Sequence, residues 1–187
     1  KEVSSMTGME LKILDWLQTI HTPIGDAFMC FITSLGNAGA IWIVLAVVLI
    51  ANPKTRKSGI IVAAALIIDA VLCSGILKNV FCRIRPFDVN TAIQVLITKP
   101  RDFSFPSGHT SASFAAATAL YLAKERKLFI LTLVLACLIA FSRMYLYVHY
   151  PTDIIGGLLI GIASAYLAYW CQKKIPAVRR NSEKLAS

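Results

Sequence analysis

The chain has 187 residues, of which 57% are hydrophobic, and its mean hydropathy is +0.67. A soluble domain of this size could not bury so much apolar side chain, which excludes an ordinary soluble fold and makes lipid the expected solvent for much of it. Nineteen Lys and Arg against ten Asp and Glu give a formal charge of +9; the basic residues fall in short clusters between apolar spans, which points to membrane topology and anionic lipid and away from nucleic acid.

In chain order, residues 1–8 read as a disordered or non-native lead, with Met6 or Met9 as the natural start. The first twenty residues lack the continuous apolar core of a signal peptide. The stretch MELKILDWLQTI sets Leu11, Leu14, Trp16 and Leu17 among charged residues, the pattern of a short helix lying in the membrane interface. IGDAFMCFITSL follows Pro23 and either dips into the membrane or extends the next span across Gly36 and Gly39. Apolar spans follow at about 36–51, 58–80, 109–123, 128–147 and 153–171. The expected architecture is therefore all-α: a single-domain polytopic helical bundle over 1–187 with five to six spans, an amino-terminal interfacial helix and a cytoplasmic tail over 175–187.

The connections sort onto two sides. Lys54, Arg56, Lys57, Lys124, Arg126, Lys127, Lys173, Lys174, Arg179, Arg180 and Lys184 share one side, and excess basic charge marks it as cytoplasmic. The amino-terminal segment, the long connection 81–108 and the turn 148–152 then face the periplasm or exterior. Gly156, Gly157, Gly161 and Ala165 space small residues along the last span for close helix packing. The five cysteines have neither metal-ligand nor redox spacing and read as small apolar fillers.

Three polar clusters lie on the outward side. In KNVFCRIRP, Lys78 and Arg85 stand two helical turns apart, on nearly one face, with Pro86 ending the helix. Together they suit a phosphate clamp, or simply snorkel to the interface. In FPSGHTSAS, Pro106 suits a helix start, Gly108 allows close approach to the backbone, and the helix N–H groups suit an anion. His109 adds a proton donor or acceptor near neutral pH. The plain alternative is a hydroxyl-rich cap. In SRMYLYVHYPTD, Pro151 opens the last helix, leaving His149 just outside it and Asp153 in its first turn. Asp153 can bind one imidazole nitrogen and leave the other free to attack. Arg143 near the end of the preceding span either binds anion or snorkels. All three clusters sharing one membrane face makes a phosphoryl-transfer site the joint reading, with the cations supplying charge stabilisation. Metal ligation is disfavoured, because Asp153 is engaged with His149 and only Asp88 and Asp102 remain, in a loop.

Taken together, Lys78…Arg85-Pro86, then Pro106-Ser107-Gly108-His109, then Ser142-Arg143…His149…Asp153 resemble the pattern K-x6-RP, PSGH, SR-x5-H-x3-D of the type-2 phosphatidic acid phosphatase and vanadium haloperoxidase superfamily. The resemblance covers about residues 25–172. It implies a helical membrane core and cofactor-free, metal-independent hydrolysis of lipid phosphates. His149 would form a phosphohistidine, Asp153 would orient it, and His109 would protonate the leaving oxygen. Lys78, Arg85, Ser107, Gly108 and Arg143 would bind the phosphoryl oxygens. Arg83 falls outside the pattern. Many bacterial members carry a further helix before the interfacial segment, which this sequence does not show.

Outward placement suits recycling of a polyprenyl diphosphate carrier such as undecaprenyl pyrophosphate. The alternatives are a phosphatidic acid or phosphatidylglycerophosphate phosphatase, or a non-enzymatic binder or transporter of anionic lipid. A haloperoxidase is least favoured. The expected partners are the bilayer and a membrane lipid phosphate, with no nucleic acid, and oligomeric state is not legible. Asp69 lies outside the pattern, in mid-span; nine residues before Lys78, it should face away from the lysine and contact a neighbouring helix.

Overall fold

The computed structural model describes residues 5–185, with side chains described for 6–174. The tail side chains from 175 onward and residues 1–4 lie outside that range, while 5–8 belong to the first helix. Among the described residues all regular structure is helical.

Helix α1, Ser5–Gln18, has two apolar faces. Met6, Met9, Ile13 and Trp16 recur every three or four residues and are exposed, while Leu14 and Leu17 are buried. One face is thus available to lipid and the other docks on the bundle, as an interfacial helix requires. Helix α2, Pro23–Leu35, starts at a Thr22 cap whose hydroxyl accepts from Gly25 N. A short 3₁₀ turn, Asn37–Gly39, then bends the chain by 45° into α3, Ala40–Ala51. Ala38 and Gly39 make this bend by adopting left-handed angles, φ +50° and +69°.

The next membrane pass begins as α4, Arg56–Asp69, continues as a π-helix over Ala70–Leu77 and ends as α5, Lys78–Phe81. Cys82 at φ +46° then turns the chain out of the helix. This departs from the sequence reading, in which the helix ran to Arg85 and carried Lys78 and Arg85 on one face. Arg85 is instead extended (φ −75°, ψ 154°), as a residue before proline prefers, and Pro86 opens the short helix α6, Pro86–Val89. The π-helix corrects a second expectation. Its i→i+5 bonds widen each turn, so the nine residues from Asp69 to Lys78 come close to whole turns. Asp69 and Lys78 therefore line one cavity, where α-helical winding would have set them on opposite faces. The expected contact to a neighbouring helix is present all the same: Ser111 Oγ donates to Asp69 Oδ1.

Helix α7, Gly108–Leu122, is the central strut, buried on most sides and packed on α8, Arg126–Tyr145, and α9, Pro151–Leu185. Small residues make this possible. A Cβ at Gly157 would lie 2.6 Å from Ser107 O and one at Gly161 2.9 Å from Ala115 N, so the α7 and α9 backbones touch where the glycines fall. Around them Ala65, Ala115, Ala116, Ala119, Ala165 and Ala168 form a core of small side chains, locked by Trp42 Nε1 donating to Ser113 Oγ at 3.0 Å.

The outside of the bundle is apolar. Ile43, Val44, Val47, Val48, Ile130, Leu131, Val134 and Leu159 are all exposed, far more than an aqueous surface tolerates contiguously. Among the described residues three helices are long and apolar enough to cross a membrane, Arg56–Val89, Arg126–Tyr145 and Pro151–Lys174, and the bent pair Pro23–Leu35 and Asn37–Ala51 adds a fourth if it is one broken span. At 15 residues α7 falls short of that length. The five cysteines are free thiols.

Candidate active site

The site forms where α5, the 82–107 connection, the start of α7 and the α8–α9 turn meet at one end of the bundle. They enclose a cavity of about 350 Å³ whose polar wall includes Lys78, Arg85, Asp102, Gly108, His109, Arg143 and His149. Its other wall is apolar, from Ile43, Leu66, Ala70 and Ala112. Six of the eight residues singled out in the sequence therefore line one space, brought from three separate segments. The other two, Ser107 and Asp153, stand behind it, both fully buried.

The α8–α9 turn is set by a strained residue. Tyr147 holds φ +59° directly after α8, a conformation costing a non-glycine residue about 1–2 kcal/mol. Its hydroxyl donates to Asp15 Oδ1 of α1 at 2.6 Å, and the ring is fully buried, which holds the turn. Burial, and then the bond to Asp15, push the Tyr147 phenol above its usual range. The turn returns the chain so that His149 N donates to Arg143 O at 3.3 Å and His149 faces the cavity from outside any helix.

His149 is held in one tautomer by its neighbours. Arg85 Nη1, always a donor, lies 3.3 Å from Nε2, so Nε2 carries the lone pair. Nδ1 then carries the proton and donates to Asp153 Oδ2 at 3.3 Å. Asp153 is itself heavily supported. Ser104 Oγ donates to Oδ2 at 2.5 Å, Tyr150 N to Oδ2 at 2.9 Å, and Arg83 Nη1 to Oδ1 at 2.6 Å. Burial, joined by the charges of Arg85 and Arg143, outweighs the pull of Asp153 and lowers the imidazole to about 3. The ring is therefore neutral at physiological pH, with an unprotonated Nε2 at the cavity.

Lys78 and Arg85 form the cationic side of the cavity, and both pair with Asp102. Lys78 Nζ lies 2.9 Å from Asp102 Oδ2 and donates to Phe103 O at 2.6 Å. Arg85 Nη2 lies 2.6 Å from Asp102 Oδ1, and its Nε donates to Asp102 O at 2.8 Å. Burial alone would raise the Asp102 carboxyl, but bonds to Lys78 and the charges of Lys78 and Arg85 pull it down to about 2. One carboxylate thus bridges both cations, as two oxygens of a phosphoryl group would. Arg143 completes the set. It is 2% exposed, Nη1 donates to Thr33 Oγ1 at 2.5 Å, and Nε is buried without a partner. A buried guanidinium donor left open beside a cavity is costly unless a ligand satisfies it.

At the start of α7 the cap is Ser107 rather than Pro106. Its hydroxyl accepts from Thr110 Oγ1 at 2.9 Å and, more weakly, from Thr110 N at 3.4 Å. Ser107 N donates to Asp153 O at 3.1 Å, so the hydroxyl works as a cap and the backbone as a tie to α9. Gly108 reaches the cavity directly. His109 Nε2 donates to Asn37 Oδ1 at 3.1 Å, across from the bend between α2 and α3.

Four contributors escaped the sequence reading: Arg83, set aside there, Asp102, Glu10 and Asn37. Asp102 was read only as a loop acid. Residues two apart in an extended segment share a face, so the RxRP spacing gave no sign that Arg83 turns to Asp153 while Arg85 reaches His149. Nothing local marks Glu10 or Asn37, whose partners lie 73 and 72 residues away.

Comparison with known proteins bears on the family and the fold. Residues 58–177 match the PAP2 superfamily. The chain is 32% identical over 143 residues to an undecaprenyl-diphosphatase of Sulfolobus acidocaldarius, covering 76% of this chain and 68% of that protein. It is 32% identical over 153 residues to the undecaprenyl-diphosphatase BcrC of Bacillus subtilis, covering 80% and 76% respectively. Among solved structures, a transmembrane PAP2-type phosphatidylglycerolphosphate phosphatase from Bacillus subtilis superposes with a TM-score of 0.74 at 26% identity, over 93% of this chain and 89% of that one. Matched in sequence over residues 58–177 and in fold across nearly its whole length, the chain is an integral membrane protein of the PAP2 superfamily.

Proposed function

We propose that this protein hydrolyses a polyprenyl diphosphate, with undecaprenyl diphosphate as the best fit, through a phosphohistidine on His149. The observation that carries the reading is the tautomer of His149, with an unprotonated Nε2 facing the cavity between Arg85 and the unsatisfied Arg143. The terminal phosphoryl group displaces Asp102 and is held by Lys78, Arg85, Arg143 and the Gly108 backbone. Nε2 attacks phosphorus, and the bond to the bridging oxygen breaks. His109, whose Nε2–H is donated to Asn37, enters the step as an imidazolium protonated at both nitrogens, gives one proton to the leaving lipid phosphate and ends neutral. A water then attacks the phosphohistidine and returns a proton to His109, and phosphate departs as the His149 lone pair is restored. The cations neutralise the transferring group throughout.

The apolar wall from Ile43 to Ala112 receives the first part of the lipid chain, and the named activity of the two undecaprenyl-diphosphatase relatives favours an isoprenoid one. The fold likeness to a phosphatidylglycerolphosphate phosphatase keeps a glycerolipid phosphate as the second reading. We read the membrane part as five passes: the bent pair α2–α3, the α4–α5 pass, α7, α8 and α9. Excess basic charge at 52–57, at 124–127 and after 172 then faces the cytoplasm and the site faces outward.

Phosphate release in detergent, with chelator present, tests the chemistry. His149→Ala is expected to lose at least about 10³-fold in kcat, and equal release by both proteins overturns the mechanism. A panel of polyprenyl diphosphate, phosphatidic acid and phosphatidylglycerophosphate, ranked by kcat/KM, decides the substrate. Thr91→Cys in a cysteine-free background should react with an impermeant label on intact cells. Labelling only after the membrane is opened would invert the topology.

A further inference from the structure

We infer that Arg83, gripped by Glu10 of the interfacial helix, is a positioning residue for the His149–Asp153 pair. The inference rests on the reading of His149 as nucleophile. Arg83 lies beside the motif lysine and arginine but serves a different element. Its Nη1 donates to Asp153 Oδ1 at 2.6 Å and to Thr152 Oγ1 at 2.7 Å. Its Nη2 donates to Glu10 Oε2 at 2.5 Å, and its guanidinium stacks 3.9 Å above the Tyr150 ring. Both terminal nitrogens and one face of the planar group are thus committed, which fixes its orientation more firmly than a single ion pair would.

Glu10 is the unexpected half. It is 4% exposed, on a helix whose opposite face is apolar and solvent-free in a bilayer. Burying a carboxylate this far from its own chain segment is costly unless its bonds are complete. They are: Oε1 accepts from Thr152 N at 3.1 Å and from Thr152 Oγ1 at 2.5 Å, and Oε2 accepts from Arg83. Thr152 N belongs to the first turn of α9, so Glu10 caps from a distance the helix that carries Asp153. The charge series runs Glu10⁻, Arg83⁺, Asp153⁻, then the His149 ring. When His149 becomes a phosphorylated cation, Asp153 must stay ionised and in place to stabilise it. Arg83 holds Oδ1 while Ser104 Oγ and Tyr150 N hold Oδ2, which leaves the carboxylate no freedom to swing from Nδ1.

The test compares wild type, Arg83→Gln, Arg83→Lys, Glu10→Gln and His149→Ala in phosphate release across pH, normalised to folded protein. The charged groups facing the pair are Arg83, Arg85 and Arg143. Losing the first lets the pair take up a proton more readily, so the acid limb of kcat moves to higher pH. Arg83→Gln should lower kcat about 10- to 100-fold with KM within about 2-fold, and raise the acid limb by about one unit. Arg83→Lys should restore the limb but only part of kcat, since an ammonium cannot span Glu10 and Asp153 together. Glu10→Gln, nearly isosteric, should lower kcat about 10-fold. If the Arg83 and Glu10 variants only melt earlier, with kcat per folded molecule and acid limb unchanged, the inference is overturned. Should Arg83→Gln fail to fold, the other two are read alone, and unchanged kcat in both overturns it equally. His149→Ala separates the layers: its inactivity beside an unaffected Arg83 series sinks this inference alone, whereas its retained activity sinks the nucleophile reading beneath it.

Discussion

Two carboxylates at the two ends of the site are held in opposite ways. Asp102 lies on the long outer connection with 55% of its side chain exposed, and its partners are the two cations that line the cavity. Asp153 lies in the first turn of α9 with none of its side chain exposed, and its partners are a serine, an amide, an arginine behind the cavity and the imidazole. We read the first as an exchangeable occupant and the second as a fixed part. Solvent access explains the contrast. An exposed acid can leave its cations for water at little cost, so a phosphate can replace it, whereas a buried acid has no second solvent to enter.

This contrast predicts very different consequences for removing either charge. Asp153→Asn should be the most damaging, lowering kcat about 10³- to 10⁴-fold in a folded protein, because the amide reverses the tautomer that frees Nε2. A drop below about 10-fold would show that Asp153 is not required to orient the ring. Lys78→Met removes a cation from the exchangeable side and should lower kcat/KM about 10²-fold, measured on the same lipid. The pH profile comes next. With His149 held at about 3, its neutral form is present above that value and lost only as pH falls through it. The acid limb of kcat/KM should therefore lie below about pH 5, well under the ordinary histidine value, and a limb near 6.5 would mean that the ring is open to water. Asp102→Asn should be mildest: with the competing charge gone, KM for lipid and the inhibition constant for orthophosphate both fall about 3-fold. A rise in both would make Asp102 a substrate contact instead of a stand-in.

The eight motif residues were legible in the sequence because their chemistry is unusual for an apolar chain, and six of them line one cavity. The geometry that unites them was less so. Lys78 and Arg85 were expected on one helix face. They meet by another route, with Cys82 turning the chain at φ +46° and Pro86 holding Arg85 extended. A left-handed cysteine has no composition signature, since glycine or asparagine is the usual occupant. The apolar segments fall on helices at nearly the expected positions because hydropathy is a sum over many residues, while three of those helices, or four with the bent pair, are long and apolar enough to cross a membrane. Glu10, Asn37 and Asp102 were opaque for the converse reason: each acts through one or two bonds across the fold, and a single long-range bond leaves no periodic trace.

The π-helix at Ala70–Leu77 gives the α4–α5 pass a further character. A wide turn of this kind is one residue's worth of slack in a helical screw. Upstream of it the pass is phased to its neighbours in the bundle, with Ile61, Val62 and Ala65 buried. Downstream it is phased to the cavity, which Lys78 lines. Excising one residue from the segment and closing the screw to α-helical pitch would put Lys78 eight residues from Asp69 at about 100° each, and so about 80° round the helix from it. The membrane would still be crossed and the core still filled, yet the lysine would point elsewhere. In this pass a single residue of length separates a greasy strut from an active site.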